Sequence, residues 1–146
     1  AKPATEKSVS VVDDVPVTMP ALTRSVKLQK KASGVGFDWP DVSGVLDKIR
    51  EELAEVEAEI ASGNAQRLQE EIGDLLFAVT NLARFAKADP EAALRGTNER
   101  FSSRFRHVEK RMQEQGGWDS VSAEAMEAAW TEAKQLEKEN SLKDAD

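Results

Sequence analysis

Apolar residues at spacings of three and four positions dominate the chain from Pro20 onward and predict an α-helical protein. The clearest run, on one helix face by the 3.6-residue period, consists of Leu46, Ile49, Leu53, Val56 and Ile60. We expect that face to be part of the core. The alternation of apolar and polar residues that is typical of a half-buried strand is not found, nor is an internal repeat.

Capping and turn residues divide the pattern into helices. A short basic helix is expected over residues 21–32. The four longer helices are expected from a cap at Asp41 or Ser43 to about residue 61, then over about 65–88, 90–115 and, from a cap at Ser120 or Ser122, to about 139. These elements predict an all-α fold, a helical bundle of four main helices plus a short leading helix.

The flanking segments lack such a pattern. We interpret residues 1–19, which are polar and punctuated by proline, as a flexible linker or N-terminal extension, and residues 140–146 as a solvated tail. Residues 20–139 are then expected to form the one folded domain, a size that allows a single hydrophobic core.

The amino-acid composition argues against several classes of function. With 27 acidic and 20 basic residues the net charge is −7, which disfavours binding to a nucleic-acid duplex. The chain has no cysteine and only one histidine, His107, so thiolate catalysis and cysteine zinc sites are excluded. No apolar run approaches the roughly 20 residues of a membrane span, and the N-terminus lacks a signal-peptide core, so we expect a cytoplasmic protein without membrane contact.

Acidic residues border the apolar faces of two consecutive long helices. On the first, Glu52 and Glu55 share a stripe beside the core face, with Glu52 nearer to the core. On the second, Glu71 lies against the apolar side and Asp74 follows one turn later. A buried carboxylate is costly unless it is paired or bound to a metal.

A short break joins these two helices, which are therefore expected to be antiparallel neighbours with the four carboxylates converging. Oxygen donors without Cys or His suit Mg²⁺ or Mn²⁺, and Mg²⁺ commonly takes further ligands from substrate phosphates. The pattern favours nucleotide pyrophosphate chemistry. Gly73 in the middle of the second helix indicates a close backbone approach.

The alternative without a metal site is that these acidic stripes are ordinary solvent-exposed surface. Glu-rich helices with such spacings are common. On the residues alone, Arg100 and Arg104 are also typical of a solvated helix face. Trp130 is compatible with an ordinary core position, and base stacking by Trp130 or Trp39 is left open.

Three segments, residues 51–55 (EELAE), 70–77 (EEIGDLLF) and 93–105 (ALRGTNERFSSRF), resemble MazG-type nucleoside triphosphate pyrophosphohydrolases of the all-α NTP pyrophosphatase superfamily. The similarity runs from about residue 20 to residue 130 and is greatest to the C-terminal domain of tandem MazG proteins, with residues 1–19 in the place of the interdomain linker. The resemblance implies Mg²⁺-dependent hydrolysis of NTPs or dNTPs to the monophosphate and pyrophosphate, with Mn²⁺ as a substitute ion, and a homodimer whose subunits both contribute to the bundle.

The resemblance also implies a role for each matching residue. The metal ligands of the catalytic centre are Glu52, Glu55, Glu71 and Asp74. The triphosphate contacts are Lys48, Arg67, Arg100 and Arg104, and the nucleotide contacts are Asn98 and Trp130. Two alternatives stay open: a narrower pyrophosphatase acting on dUTP, dCTP or a modified nucleotide, and a non-catalytic helical module for dimerisation or nucleotide binding.

Overall fold

The computed structural model describes residues 9–145, and every regular element in that range is helical. The helices are α1 (Ala21–Gly34), α2 (Val42–Ser62), α3 (Ala65–Phe85), α4 (Pro90–Glu114) and α5 (Ala123–Asp144), with a 3₁₀ turn at Trp118–Ser120. The predicted all-α class is confirmed. The first part of the predicted linker, residues 1–8, lies outside the described residues, and the domain limits stay a prediction.

Polar caps determine where α2 to α5 begin, because a side-chain oxygen accepts one of the amide hydrogens that the first turn leaves unpaired. Helix α1 follows Pro20 and has no side-chain cap. The capping side chains of α2 to α5 accept hydrogen bonds as follows: Asp41 from Ser43 N at 2.9 Å, Asn64 from Arg67 N at 3.1 Å, Asp89 from Glu91 N at 3.0 Å and Ser122 from Ala125 N at 3.1 Å. Of the starts left open, Asp41 and Ser122 are therefore the ones used.

Two helix ends differ from expectation. Helix α5 continues to Asp144, past the end predicted near residue 139, because residues 140–144 contain neither Gly nor Pro to stop it. Helix α3 ends at Phe85, three residues before the predicted end, and Lys87 then adopts a left-handed conformation with φ of 57°.

Contacts divide the described residues into two compact units, and the first extends to Ala93. In it, α3 packs against both α2 and α1. Its buried side chains include Val45, Val56 and Ala78. Thr80, also buried, accepts a hydrogen bond from Ser25 Oγ at 2.8 Å, and this bond joins α1 to α3. The α2–α3 neighbourhood expected from their short connection is confirmed.

The predicted core face of α2 is wrong in part. Leu53 and Ile60 are exposed, whereas Val45, Glu52 and Val56 are buried. Helix α2 therefore turns the Val45–Val56 line toward its neighbours and leaves the Leu53–Ile60 line beside it uncovered. The apolar face of α3 is uncovered in the same way at Ile72, Leu76 and Val79.

Gly73 of α3 was expected to mark a close backbone approach, and this expectation is wrong for the described chain. No atom lies within 4 Å of the position that a Cβ would take at Gly73.

The second unit begins at Leu94 and contains most of α4 together with α5. The two helices are antiparallel, because Arg104 contacts Glu137 whereas Arg111, further along α4, contacts the earlier residue Glu132. The core of this unit is formed by Val108, Met112 and Ala129. Ion pairs join the helices outside this core: Arg104 binds Glu137, and Glu132 binds both His107 and Arg111. Within residues 9–145, no helix is long and apolar enough to cross a membrane.

Candidate functional site

Three carboxylates converge where α2 meets α3. Glu52 of α2 and Glu71 and Asp74 of α3 each place one oxygen within 4.8 Å of the others. Glu71 and Asp74 are three positions apart and so share a helix face. Glu52 is buried, Glu71 is half-buried and Asp74 is exposed, so the cluster opens from the helix contact toward solvent. Three of the four predicted metal ligands are thereby brought together.

The carboxylates repel one another in the absence of a cation. Burial raises the pKa of Glu71, and the charges of Asp74, Glu55 and Glu52 raise it further. Carboxylate oxygens are hard ligands, and no His or Cys belongs to the cluster. The chemistry of this donor set fits a hard divalent cation.

The fourth predicted ligand, Glu55, lies outside this trio. Its side chain is exposed, and it is near enough for its charge to act on Glu71. Because Glu52 and Glu55 differ by one turn of α2, Glu55 borders the open side of the cluster.

Two predicted triphosphate contacts of the first unit have carboxylate partners. Lys48 Nζ lies 2.9 Å from Glu52 Oε1, and this hydrogen bond raises the pKa of the Lys48 ammonium group. Arg67 Nε lies 3.3 Å from Glu59 Oε1 and its side chain is mostly exposed. Lys48 thus adjoins the carboxylate cluster, whereas Arg67 connects the C-terminal end of α2 with the N-terminal end of α3.

A cavity of about 780 Å³ in the first unit begins at these carboxylates. Its polar end is lined by Lys48, Glu52 and Asp74. The other walls are largely apolar and are formed by Val12, Leu28, Ala32, Phe37, Trp39, Phe77 and Ala78, with Gln29, Asp38, Asn81 and Arg84 among them. Cavities of about 300–1,000 Å³ with few polar groups are typical of small-molecule sites.

The connection between α1 and α2 supplies two aromatic walls of this cavity. Phe37 is 81% exposed and Trp39 is 43% exposed, which is unusual for large aromatic side chains. Between them, Asp38 forms two hydrogen bonds with Arg84 of α3, at 2.5 and 3.2 Å, and these lower the pKa of Asp38.

Asn81 and Arg84 are cavity residues that received no role in the sequence analysis. They follow Asp74 and Ala78 at the spacing of one helix face, and this spacing is the sequence signal by which Asn81 could be found. No such local signal identifies Arg84, because its ion-pair partner Asp38 is 46 residues away in the sequence.

The remaining predicted substrate contacts belong to the second unit. The Arg104 guanidinium carbon lies 5.5 Å from the centre of the Trp130 ring, so these two residues are together. Arg104 Nε also donates to both Glu137 oxygens at 3.0 Å. Arg100 donates to Thr97 Oγ1 at 3.0 Å, and Asn98 is exposed. Contacts with a nucleotide stay predictions for all four.

Fold and site together define an all-α protein in which a cluster of carboxylates, suited to a hard metal ion, opens into a ligand-sized cavity. Comparison with protein families matches residues 42–109 to the MazG nucleotide pyrophosphohydrolase domain. These residues identify a MazG nucleotide pyrophosphohydrolase domain in the chain, and the resemblance stated from the sequence is confirmed.

Curated relatives extend the match over most of the chain. A nucleoside triphosphate pyrophosphohydrolase of Escherichia coli K12 is 44% identical over 131 residues, which cover 88% of this chain and 50% of the relative. A Thermotoga maritima nucleoside triphosphate pyrophosphohydrolase/pyrophosphatase MazG is 38% identical over 130 residues, again covering 88% and 50%. An uncharacterised protein of Bacillus subtilis, YabN, is 44% identical over 131 residues and is covered to 27%. The chain thus spans about half or less of these relatives.

Proposed function

We propose that this chain hydrolyses nucleoside triphosphates to the monophosphate and pyrophosphate with Mg²⁺ as its metal. The observation that carries the proposal is the convergence of Glu52, Glu71 and Asp74 at one end of a cavity large enough for a nucleotide. The names of the E. coli and T. maritima relatives support the same reaction.

In this proposal the three converging carboxylates hold the cation and Glu55 completes the set. Mg²⁺ bound there would lower the pKa of a coordinated water molecule and neutralise negative charge on the phosphate oxygens. The buried position of Glu52 and the packing of α2 on α3 hold the donor atoms in place before the substrate arrives.

The substrate lies along the cavity in this proposal. Lys48, at the polar end, meets the phosphates, and the nucleoside occupies the apolar end between the walls formed by Phe37 and Trp39. The resemblance adds Arg67, Arg100 and Arg104 as phosphate contacts and Asn98 and Trp130 as nucleotide contacts. Because Arg104 is bonded to Glu137, binding a phosphate there requires Arg104 to exchange that partner.

A homodimer is part of the proposal. The uncovered side chains of Ile72, Leu76 and Val79 form an apolar stripe on α3 that a second copy would bury. The cytoplasmic location expected from the sequence belongs to the same proposal.

The test is turnover of the eight common NTPs and dNTPs, with and without Mg²⁺, with the products resolved as monophosphate, diphosphate, pyrophosphate and orthophosphate. We expect monophosphate and pyrophosphate only when Mg²⁺ is present. Turnover confined to dUTP or dCTP would replace the general enzyme by the narrower one. A folded chain that neither binds Mg²⁺ nor turns over any substrate would support the non-catalytic module.

A further inference from the structure

Arg84 connects two walls of the cavity that are far apart in the sequence. Its guanidinium group donates from both terminal nitrogens to Asp38 in the α1–α2 connection, at 2.5 and 3.2 Å. Its Nε donates to Asn81 Oδ1 on α3 at 2.9 Å. The Arg84 side chain is only 16% exposed, so these hydrogen bonds are partly shielded from water.

The contact with Asp38 holds the aromatic wall. Asp38 also accepts a hydrogen bond from the amide of its neighbour Trp39 at 2.8 Å, so the position of Asp38 determines where the backbone of Trp39 lies. The Trp39 ring in turn rests on Gly44 of α2, where an added Cβ would be 2.7 Å from it. Trp39 is therefore fixed from two sides, by Arg84 through Asp38 and by the surface of α2.

The contact with Asn81 determines which end of that amide faces the cavity. An arginine Nε–H can only donate, so the atom of Asn81 that faces it must be the oxygen. The NH₂ group is left without a protein partner among residues 9–145, and Asn81 lines the cavity. Within that range, every fully enclosed side-chain nitrogen or oxygen atom has a hydrogen-bond partner. The unpartnered NH₂ group of Asn81 is therefore not fully enclosed and is free to donate to a ligand.

From these contacts we infer that Arg84 is a positioning residue for the nucleoside: it holds Trp39 as a wall and Asn81 as a hydrogen-bond donor. This inference rests on the proposed function for the identity of the ligand. Arg84 acts at the end of the cavity away from Glu71, so it should affect substrate affinity much more than the chemical step.

The first arm of the test is the kinetics of full-length variants. We expect Arg84→Met to raise KM on the order of tenfold with kcat within about twofold, since it removes charged hydrogen bonds that act on the ligand only through other residues. Arg84→Lys should restore part of the affinity, because it keeps the charge and loses the fork and the Nε donor. The matched control is Arg50→Met, which removes an exposed arginine that pairs with Asp47 away from the cavity.

A double-mutant cycle tests whether Arg84 acts through Asn81. The KM effect of Asn81→Ala in the Arg84→Met background should be smaller than in the wild-type background, because the amide is no longer held. Equal effects in both backgrounds would contradict the orientation of Asn81 by Arg84.

The second arm needs no turnover. With 5-fluorotryptophan incorporated, the ¹⁹F resonance of Trp39, assigned with Trp39→Phe, should shift and sharpen in Arg84→Met and stay unchanged in Arg50→Met. An unchanged Trp39 resonance together with unchanged KM, or a fall in kcat at constant KM, would overturn the inference. A wild-type chain that hydrolyses nothing would overturn the proposed function, and the Trp39 resonance would still decide whether Arg84 positions this wall.

Discussion

Lys48 is the only cation that the described structure places against the buried carboxylate Glu52. Their 2.9 Å contact offsets the cost of enclosing a negative charge before any metal is bound. Lys48 is also at the polar end of the cavity, so one side chain both compensates the charge of the carboxylate cluster and faces the proposed phosphates.

Lys48→Met should therefore lower the stability of the protein more without Mg²⁺ than with it. Without metal we expect the free energy of unfolding to fall by about 1–2 kcal/mol, because Glu52 loses its partner. Addition of Mg²⁺ should raise the melting temperature of the variant more than that of the wild type, as the cation replaces the lost charge. Thermal unfolding at several Mg²⁺ concentrations measures both, and equal Mg²⁺ effects on the two proteins would contradict the pairing.

Glu132 should make the second unit sensitive to acid. Hydrogen bonds from Arg111 and His107 lower the pKa of Glu132 below its ordinary value of 4.5. A lowered pKa means that the folded state favours the ionised form. The stabilisation is therefore fully present above pH 4.5 and is lost as the pH falls through the lowered pKa.

The variant Glu132→Gln removes the titrating group. We expect this variant to be less stable than the wild type at neutral pH. Between neutral pH and about pH 3, a range that spans the ordinary carboxyl pKa, the variant should lose less stability than the wild type does. Denaturant unfolding at several pH values tests this. The exposed Glu127→Gln on the same helix is the control, and it should leave the pH dependence of the wild type unchanged.

At the scale of elements, the α1–α2 connection depends on a glycine in the first turn of α2. A Cβ at Gly44 would lie 2.7 Å from Trp39 Cε3, closer than van der Waals contact permits. Gly44→Ala should therefore displace the Trp39 ring. Because the nucleoside then loses an aromatic wall of the cavity, nucleotide binding should weaken by about tenfold. Gly34→Ala, where a Cβ meets no atom within 4 Å, is the control. Equal affinity of Gly44→Ala and the wild type would show that the ring is not part of the site.

Helix starts were predictable because their signals are local. Asp89, for example, caps α4 through amides two and three residues away, at 3.0 and 3.2 Å. The buried face of α2 was not fully predictable, because periodicity identifies an apolar side without saying which edge of it a neighbour covers. Leu53 thus fits the pattern of a core residue and is exposed.

The carboxylate trio was predictable for a related reason. Spacing alone places Glu71 and Asp74 on one face of α3, and a short break between helices makes α2 its neighbour. The ion pair between Asp38 and Arg84 was not, since its partners are 46 residues apart and no local pattern joins an irregular segment to a helix.

At the scale of the whole molecule, the uncovered apolar stripe of α3 is the surface that the proposed homodimer would bury. Ile72, Leu76 and Val79 are each more than 40% exposed, and together they form a contiguous helix stripe. We expect light scattering to give twice the chain mass of 16.0 kDa.

Replacement of Leu76 by Gln should shift this assembly toward the monomer, because it puts a polar amide into the proposed interface. Leu142→Gln, at an exposed position near the end of α5, is the control and should leave the mass unchanged. A wild-type mass equal to one chain would contradict the dimer.

The proposed function depends most on whether the carboxylate cluster holds the metal that activates hydrolysis. The most direct measurement is Mn²⁺ binding by electron paramagnetic resonance, combined with NTP turnover, for the wild type, Glu71→Gln and its exposed neighbour Glu70→Gln. We predict that Glu71→Gln weakens Mn²⁺ binding and lowers kcat by at least about a hundredfold, whereas Glu70→Gln matches the wild type. Unchanged metal binding and turnover in Glu71→Gln would contradict the account.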